Sequence, residues 1–166
     1  MKLSEHVNEL RNRIEAAFDK YLAINGIGVK QSSAPAGDDK RGKWQRFDAM
    51  LRSHQGETGD FASARLKLLD ELTFTLFNRF AAIKVMEAAS MFPPIMTRMV
   101  EHGGRSFGHK AWLEINPDMR GEDLEGIREY IKQAFDELGE TLPLYHRSYP
   151  YAFLPDSHNL SEIIDA

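Results

Sequence analysis

Apolar residues return along this chain at steps of three and four, the spacing of one helix face. No stretch alternates with the period of two that a half-buried strand requires. The signal is densest over residues 73–90. At about 100° per residue, Leu72, Leu76, Phe77, Phe80, Ala81 and Ile83 spread over roughly half the wheel, and Phe74 and Val85 extend one edge. Asn78 and Arg79 fall on the remaining side with Thr75 and Glu71. Lys84 and Glu87 fall inside the apolar arc, three residues apart; an unpaired buried charge is costly, so the pair is expected to be partnered. A helix apolar around most of its circumference predicts the central strut of an all-α protein, an irregular helical bundle with little or no sheet.

The same spacing predicts the other elements. A first helix over residues 4–24, with Ser4 as cap, carries Val7, Leu10, Ile14, Phe18 and Tyr21, and Asn25-Gly26 stops it. Residues 30–39 are rich in Ser, Pro, Gly and Asp and are expected to be flexible. A short helix over 42–54 presents Trp44, Phe47, Met50 and Leu51, ending in a turn at 55–59. Asp60 caps the long helical pattern, which runs as one helix or breaks near 70–73, and Phe92-Pro93-Pro94 ends it. A short helix is expected over 94–102, stopped by Gly103-Gly104, then a loop or single turn over 105–114 with Trp112. Residues 121–138 read as an amphipathic helix with Leu124, Ile127, Ile131, Ala134, Phe135 and Leu138 on one face. Three prolines make 143–155 extended or turn-rich. A last helix begins near Asn159, where Asn159 and Glu162 have capping-box spacing. Its apolar face is just emerging at Ala166, so the chain reads as part of a longer one. The expected organisation is an N-terminal helix (1–27), a flexible linker (28–42) and a helical domain (43–166).

A chain of 166 residues without cysteine bounds the chemistry. It can bury a sizeable core, and it has no disulfide, thiolate metal site or cysteine nucleophile. No signal peptide or membrane span is evident, which predicts a soluble, cytoplasmic protein. The net charge of −4 conceals a gradient. Residues 40–52 hold five cations (Lys40, Arg41, Lys43, Arg46, Arg52) against Asp48, whereas 121–166 hold three cations against ten carboxylates. Such a patch could meet phosphate and the acidic half a basic partner, although solvated helix faces are the more ordinary account of charge runs.

Catalytic signatures are missing. The histidines (His6, His54, His102, His109, His146, His158) lack the spacing of a helical zinc site, and there is no Gly-x-Ser-x-Gly elbow. Gly103-Gly104-Arg105 is too short to cradle phosphate and reads as a helix stop, with Arg105 still able to touch one. Glu122 and Asp123 suit a helix start. Asn78 and Arg79 could anchor a neighbouring loop by hydrogen bonds or reach a phosphate. With Lys84 and Glu87 they are the expected structural polar anchors. Trp44, Trp112, Tyr145, Tyr149 and Tyr151 could stack on bases or simply fill the core.

Residues 76–87, Leu-Phe-Asn-Arg-Phe-Ala-Ala-Ile-Lys-Val-Met-Glu, resemble the helical N-terminal region of large adenine-specific DNA methyltransferases. These are the enzymes of BREX phage defence and their type II restriction–modification relatives. The similarity continues through Phe92-Pro93-Pro94, Gly103-Gly104-Arg105-Ser106, Asn116-Pro117, residues 126–138 and residues 151–155, and so spans about 60–166. The resemblance implies a parent that transfers a methyl group from S-adenosylmethionine to adenine N6. That chemistry needs a glycine-rich cofactor loop and an Asn/Asp-Pro-Pro-aromatic loop gripping a flipped base. Neither motif is in these residues: Asn116-Pro117-Asp118-Met119 lacks the second proline and the aromatic, and Phe92-Pro93-Pro94-Ile95 lacks the polar residue and the aromatic in place. The expectation is therefore a non-catalytic region that carries no cofactor itself and packs on the methyltransferase domain of the parent. It could contact double-stranded DNA through Lys40, Arg41, Lys43, Arg46, Arg105 and Lys110, or bind other defence-system proteins. The alternative is a protein–protein interaction module with no DNA role, acting through the acidic helix 121–138 or the strip 143–155.

Overall fold

The computed structural model describes residues 2–166; Met1, first in the expected 1–27 element, lies outside them. The Asp60 carboxylate accepts the Ser63 amide at 2.8 Å, and from this cap helix α3 runs unbroken over Phe61–Ala88. No break occurs near residues 70–73. At 1.5 Å per residue its 28 residues form a rod about 42 Å long. Helix α1 (Leu3–Ile24) and helix α2 (Asp38–Thr58) both pack along it. α1 runs opposite to α3, so Asp19 meets Arg65 while Val7 lies beside Phe74. Ile14, Phe18, Leu22, Phe47, Leu51, Leu68, Leu72 and Leu76 fill the shared core. The protein is all-α, its sheet no larger than two two-residue strands.

The connection from α1 to α2 is tied down. Gly26 sits at φ 93° with its backbone pressed between Ser33 and the Trp44 ring, a place no side chain could occupy. Ile27 bridges Ser32, and the Ser32 hydroxyl joins Trp44 Nε1 (2.9 Å) to Asp48 (2.7 Å). α2 begins at Asp38 rather than residue 42 and runs to Thr58 rather than stopping at 54. The early start places Asp38 and Asp39 at the positive end of the helix dipole. Gly59, left-handed at φ 88°, supplies the stop.

Beyond α3 four expectations are corrected. Residues 94–102 form no α-helix: β1 (Arg98–Met99) pairs antiparallel with β2 (Arg105–Ser106) around a single 3-10 turn and Gly103-Gly104. The cause is Glu87, whose carboxylate accepts the Met96 and Thr97 amides at 2.8 and 3.3 Å and holds them out of a helix. Residues 105–114 are not a loop, because Ser106 caps a nine-residue helix, α4 (Phe107–Ile115), by accepting the His109 amide. The 121–138 helix is shorter than its periodicity suggests. Leu124, Glu125 and Gly126 are all left-handed, and α5 runs over Ile127–Gly139. Finally, α6 (Ser157–Asp165) is capped by Asp156, which accepts the Asn159 amide at 2.9 Å in place of the Asn159–Glu162 box.

The strip 143–155 is turn-rich as its prolines require, yet it carries core: Tyr145, Phe153 and Leu154 are buried. α6 lies between α1 and α5 and buries Leu160, Ile163 and Ile164. Among the described residues no helix is long and apolar enough to cross a membrane.

Candidate functional site

The polar groups of α3 divide into structural and open ones. Arg79 is 4% exposed, and its Nε donates to the Leu144 carbonyl at 2.9 Å and its Nη2 to the His146 carbonyl at 3.3 Å. Tyr145 returns a hydrogen bond from its hydroxyl to the Arg79 carbonyl. The guanidinium also lies within 5.3–5.8 Å of the Phe135, Tyr145 and Tyr149 rings. Burial pulls its pKa below the ordinary arginine value, opposed by Tyr145, Tyr149 and Asp136. Arg79 thereby ties α3 to residues 144–146.

Lys84 and Glu87 do not pair with each other. Glu87 takes the Met96 and Thr97 amides and the Thr97 hydroxyl, while Lys84 Nζ reaches the Ile164 carbonyl at 3.5 Å. Facing different neighbours, each finds its own partner at half-burial. Asn78 makes no side-chain hydrogen bond among the described residues and lines a groove of ≈ 580 Å³ between α1 and α3.

That groove lies along an edge of α3 on which two large apolar side chains are exposed and the residues between them are half-buried. At about 100° per residue, Phe74, Phe77, Ala81 and Val85 fall within roughly 80° of one another. Phe74 is 64% exposed and Val85 68%. On α1, Val7 is 40% exposed beside them, and the buried Thr73 hydroxyl under the groove has no partner. Most solvated helix faces offer charge at such positions; here the edge is aromatic and aliphatic.

The basic candidates do not form one surface. Lys43 and Arg46 stand about one turn apart on α2, Lys43 within 5.9 Å of the Tyr21 ring and Arg46 over the Phe153 ring at 4.3 Å. Lys43 also meets Asp39 at 3.3 Å. Lys40 is exposed at the open end of α2; Arg41 is exposed too but projects about 140° from Arg46 at the helical step. Arg105 is occupied: its Nε and Nη2 clamp the Glu125 carboxylate at 2.9–3.2 Å, and its Nη1 donates to the His102 carbonyl. That clamp holds the Glu125 carboxyl below its usual pKa and fixes the left-handed 124–126 segment. Lys110 is exposed on α4, apart from the α2 cations.

Two cations that the sequence reading passed over, Lys132 on α5 and Arg147 in the strip, stand with Arg46 and Arg79 around one cleft. A usable signal exists: residues 121–166 hold only three cations, and Arg128 is spent on the Leu154 and Pro155 carbonyls and the Tyr21 hydroxyl. No cluster of metal-ligating side chains occurs among the described residues. Comparisons with protein-family models, curated proteins and solved structures return no match to this chain.

Proposed function

We propose that this chain is a non-catalytic helical region of a site-specific adenine-N6 DNA methyltransferase of phage defence or restriction–modification. In this reading it braces the methyltransferase core of the parent and meets DNA phosphates through α2. The resemblance of residues 76–87 motivates the parentage. The observation that supports the bracing role is the exposure of Phe74 and Val85 on one edge of α3. A strut of this length with Phe74 and Val85 in solvent has apolar area to bury against another body, at about 25 cal/mol per Å². Among the DNA candidates, Lys43 lies within about 60° of both Lys40 and Arg46 on α2 at the helical step and supports phosphate contact with them; Arg105 is already neutralised.

Reading the gene past Ala166 tests the parentage: a glycine-rich loop and an Asn-Pro-Pro-aromatic element downstream support it, and their absence overturns it. Co-expression with the downstream region then tests the brace. The wild-type pair is expected to co-elute in size-exclusion chromatography. Phe74→Asp with Val85→Asp should separate the pair while leaving the circular dichroism of the chain unchanged, since neither residue is buried. Co-elution that survives both substitutions rejects this edge as the contact.

The same edge also favours the interaction-module reading, in which the partner is a separate protein. The acidic α5 and the strip 143–155 are weaker carriers of it, because their apolar residues are already in the core. Association with a separate defence protein, but not with the downstream region, would select this reading.

A further inference from the structure

We propose that the cleft between α2, α3, α5 and the 143–149 strip is a binding site for a phosphate group, of the phosphomonoester or pyrophosphate class. Four cations from four different stretches of chain converge there: Arg46, Arg79, Lys132 and Arg147. None has a carboxylate partner within ion-pair distance among the described residues, and Asp136 is the one carboxylate in the lining. A protein of net charge −4, with ten carboxylates between residues 121 and 166, has abundant anions with which to neutralise such a cluster. Instead, the two cations of that acidic stretch not spent on the fold both line this cleft.

The floor is preorganised. Arg79 Nε and Nη2 are fixed by the Leu144 and His146 carbonyls, and Nη1 donates to no protein acceptor among the described residues, while the side chain lines the cleft. A buried guanidinium held by two of its nitrogens presents the third at no further entropic cost, and arginine is the side chain best matched to phosphate oxygens. Arg46 lies over the Phe153 ring at 4.3 Å and makes no side-chain hydrogen bond among the described residues. Lys132 and Arg147 form an exposed rim that can close on the ligand. Four cations against one carboxylate call for a dianion or a more highly charged group, which favours phosphate over a single carboxylate. The cleft volume of ≈ 350 Å³ exceeds what a bare ion needs and leaves room for an organic body against Phe135 and Tyr145.

This inference stands apart from the DNA reading, since duplex binding through Lys40 and Lys43 can fail with the cleft intact. Isothermal titration calorimetry of the whole chain provides the test. Pyrophosphate and AMP represent small phosphates; a single-stranded oligonucleotide with and without a 5′-phosphate represents a nucleic-acid end; adenosine is the uncharged control. Saturable one-to-one binding of the phosphate-bearing probes, and none of adenosine or the 5′-hydroxyl strand, is expected. The tighter of the two probe classes identifies the source of the phosphate. The Lys132→Gln, Arg147→Gln double variant should weaken binding about tenfold or more. Neither side chain makes a hydrogen bond in the fold, so the variant should melt like the wild type. Lys20→Gln with Lys30→Gln, an equal charge change away from the cleft, should leave affinity within about twofold. Absence of binding by every phosphate probe, unchanged affinity in the cleft variant, or an equal loss in the control pair would each overturn the assignment.

Discussion

At the residue scale, the buried His109 carries a pH consequence. His109 is buried on α4, with its Nε2 2.9 Å from the Glu125 carbonyl and its ring stacked on Tyr130 at 5.0 Å. The hydrogen bond makes Nε2 the protonated nitrogen of the neutral ring. Burial lowers the pKa of His109 below the ordinary 6.5; Arg105 and Arg98 push the same way and Glu125 opposes them. A base depressed in the fold contributes stability that is fully present above about pH 6.5 and is lost as pH falls through the folded value. The urea midpoint should therefore drop between pH 7.5 and pH 5, and His109→Gln should flatten that part of the profile. A flat wild-type profile over this range would refute the assignment. The clamped carboxylate of Glu125, also depressed, acts below its ordinary 4.5, in a separate window.

At the scale of elements, α4 and α5 approach so closely that a glycine is required between them. A β-carbon on Gly108 would collide with the Tyr130 hydroxyl, and that hydroxyl cannot swing away because it donates to the Ile95 carbonyl at 2.9 Å. The same enclosure pushes the Tyr130 pKa up to about 12. Gly108→Ala should gain up to about 1 kcal/mol of helix propensity and lose about 1–3 kcal/mol to overpacking, so the net change is destabilising. Gly42→Ala on α2, where the new methyl group meets nothing within 4 Å, should instead stabilise by roughly 0.5–1 kcal/mol. Chemical denaturation of the two variants separates packing from propensity.

Element existence was legible in the sequence wherever one apolar face repeated, as in α1, α3 and α5. Boundaries were lost where a side chain from elsewhere in the chain intervened. Glu87 captures two amides that periodicity assigned to a helix, and Arg105 pins Glu125 in a left-handed turn where Leu124 seemed to continue one. Such long-range captures leave no mark on local spacing. The candidate site was partly legible for the same reason. Arg79 and Arg46 could be noticed one at a time, but their meeting with Lys132 and Arg147 depends on how the strip 143–149 folds over α3.

At the scale of the whole molecule, the net charge of −4 opposes long-range attraction to DNA, so the proposed contact through α2 would act locally. In fluorescence anisotropy with a mixed-sequence duplex, affinity should fall steeply with salt. Lys40→Glu with Lys43→Glu should reduce the slope of log K against log[salt] by about two. Affinity and slope both unchanged in that variant would remove α2 as the DNA face. The cleft variant offers an internal comparison, because loss of phosphate binding with duplex binding intact would place the two surfaces on separate tasks.

α6 carries a consequence for the order of assembly. Leu160, Ile163 and Ile164 seat against α1, and Arg13 reaches the Glu162 carbonyl across the contact. The first and last helices are therefore neighbours in space, separated by the entire intervening polypeptide. While this region is being synthesised, α1 can pack on α3, but the part of its surface that meets α6 has nothing to close it until α6 has cleared the exit tunnel. That part of the hydrophobic seam stays open until translation of this region is complete, and it is exposed to non-native association for that time.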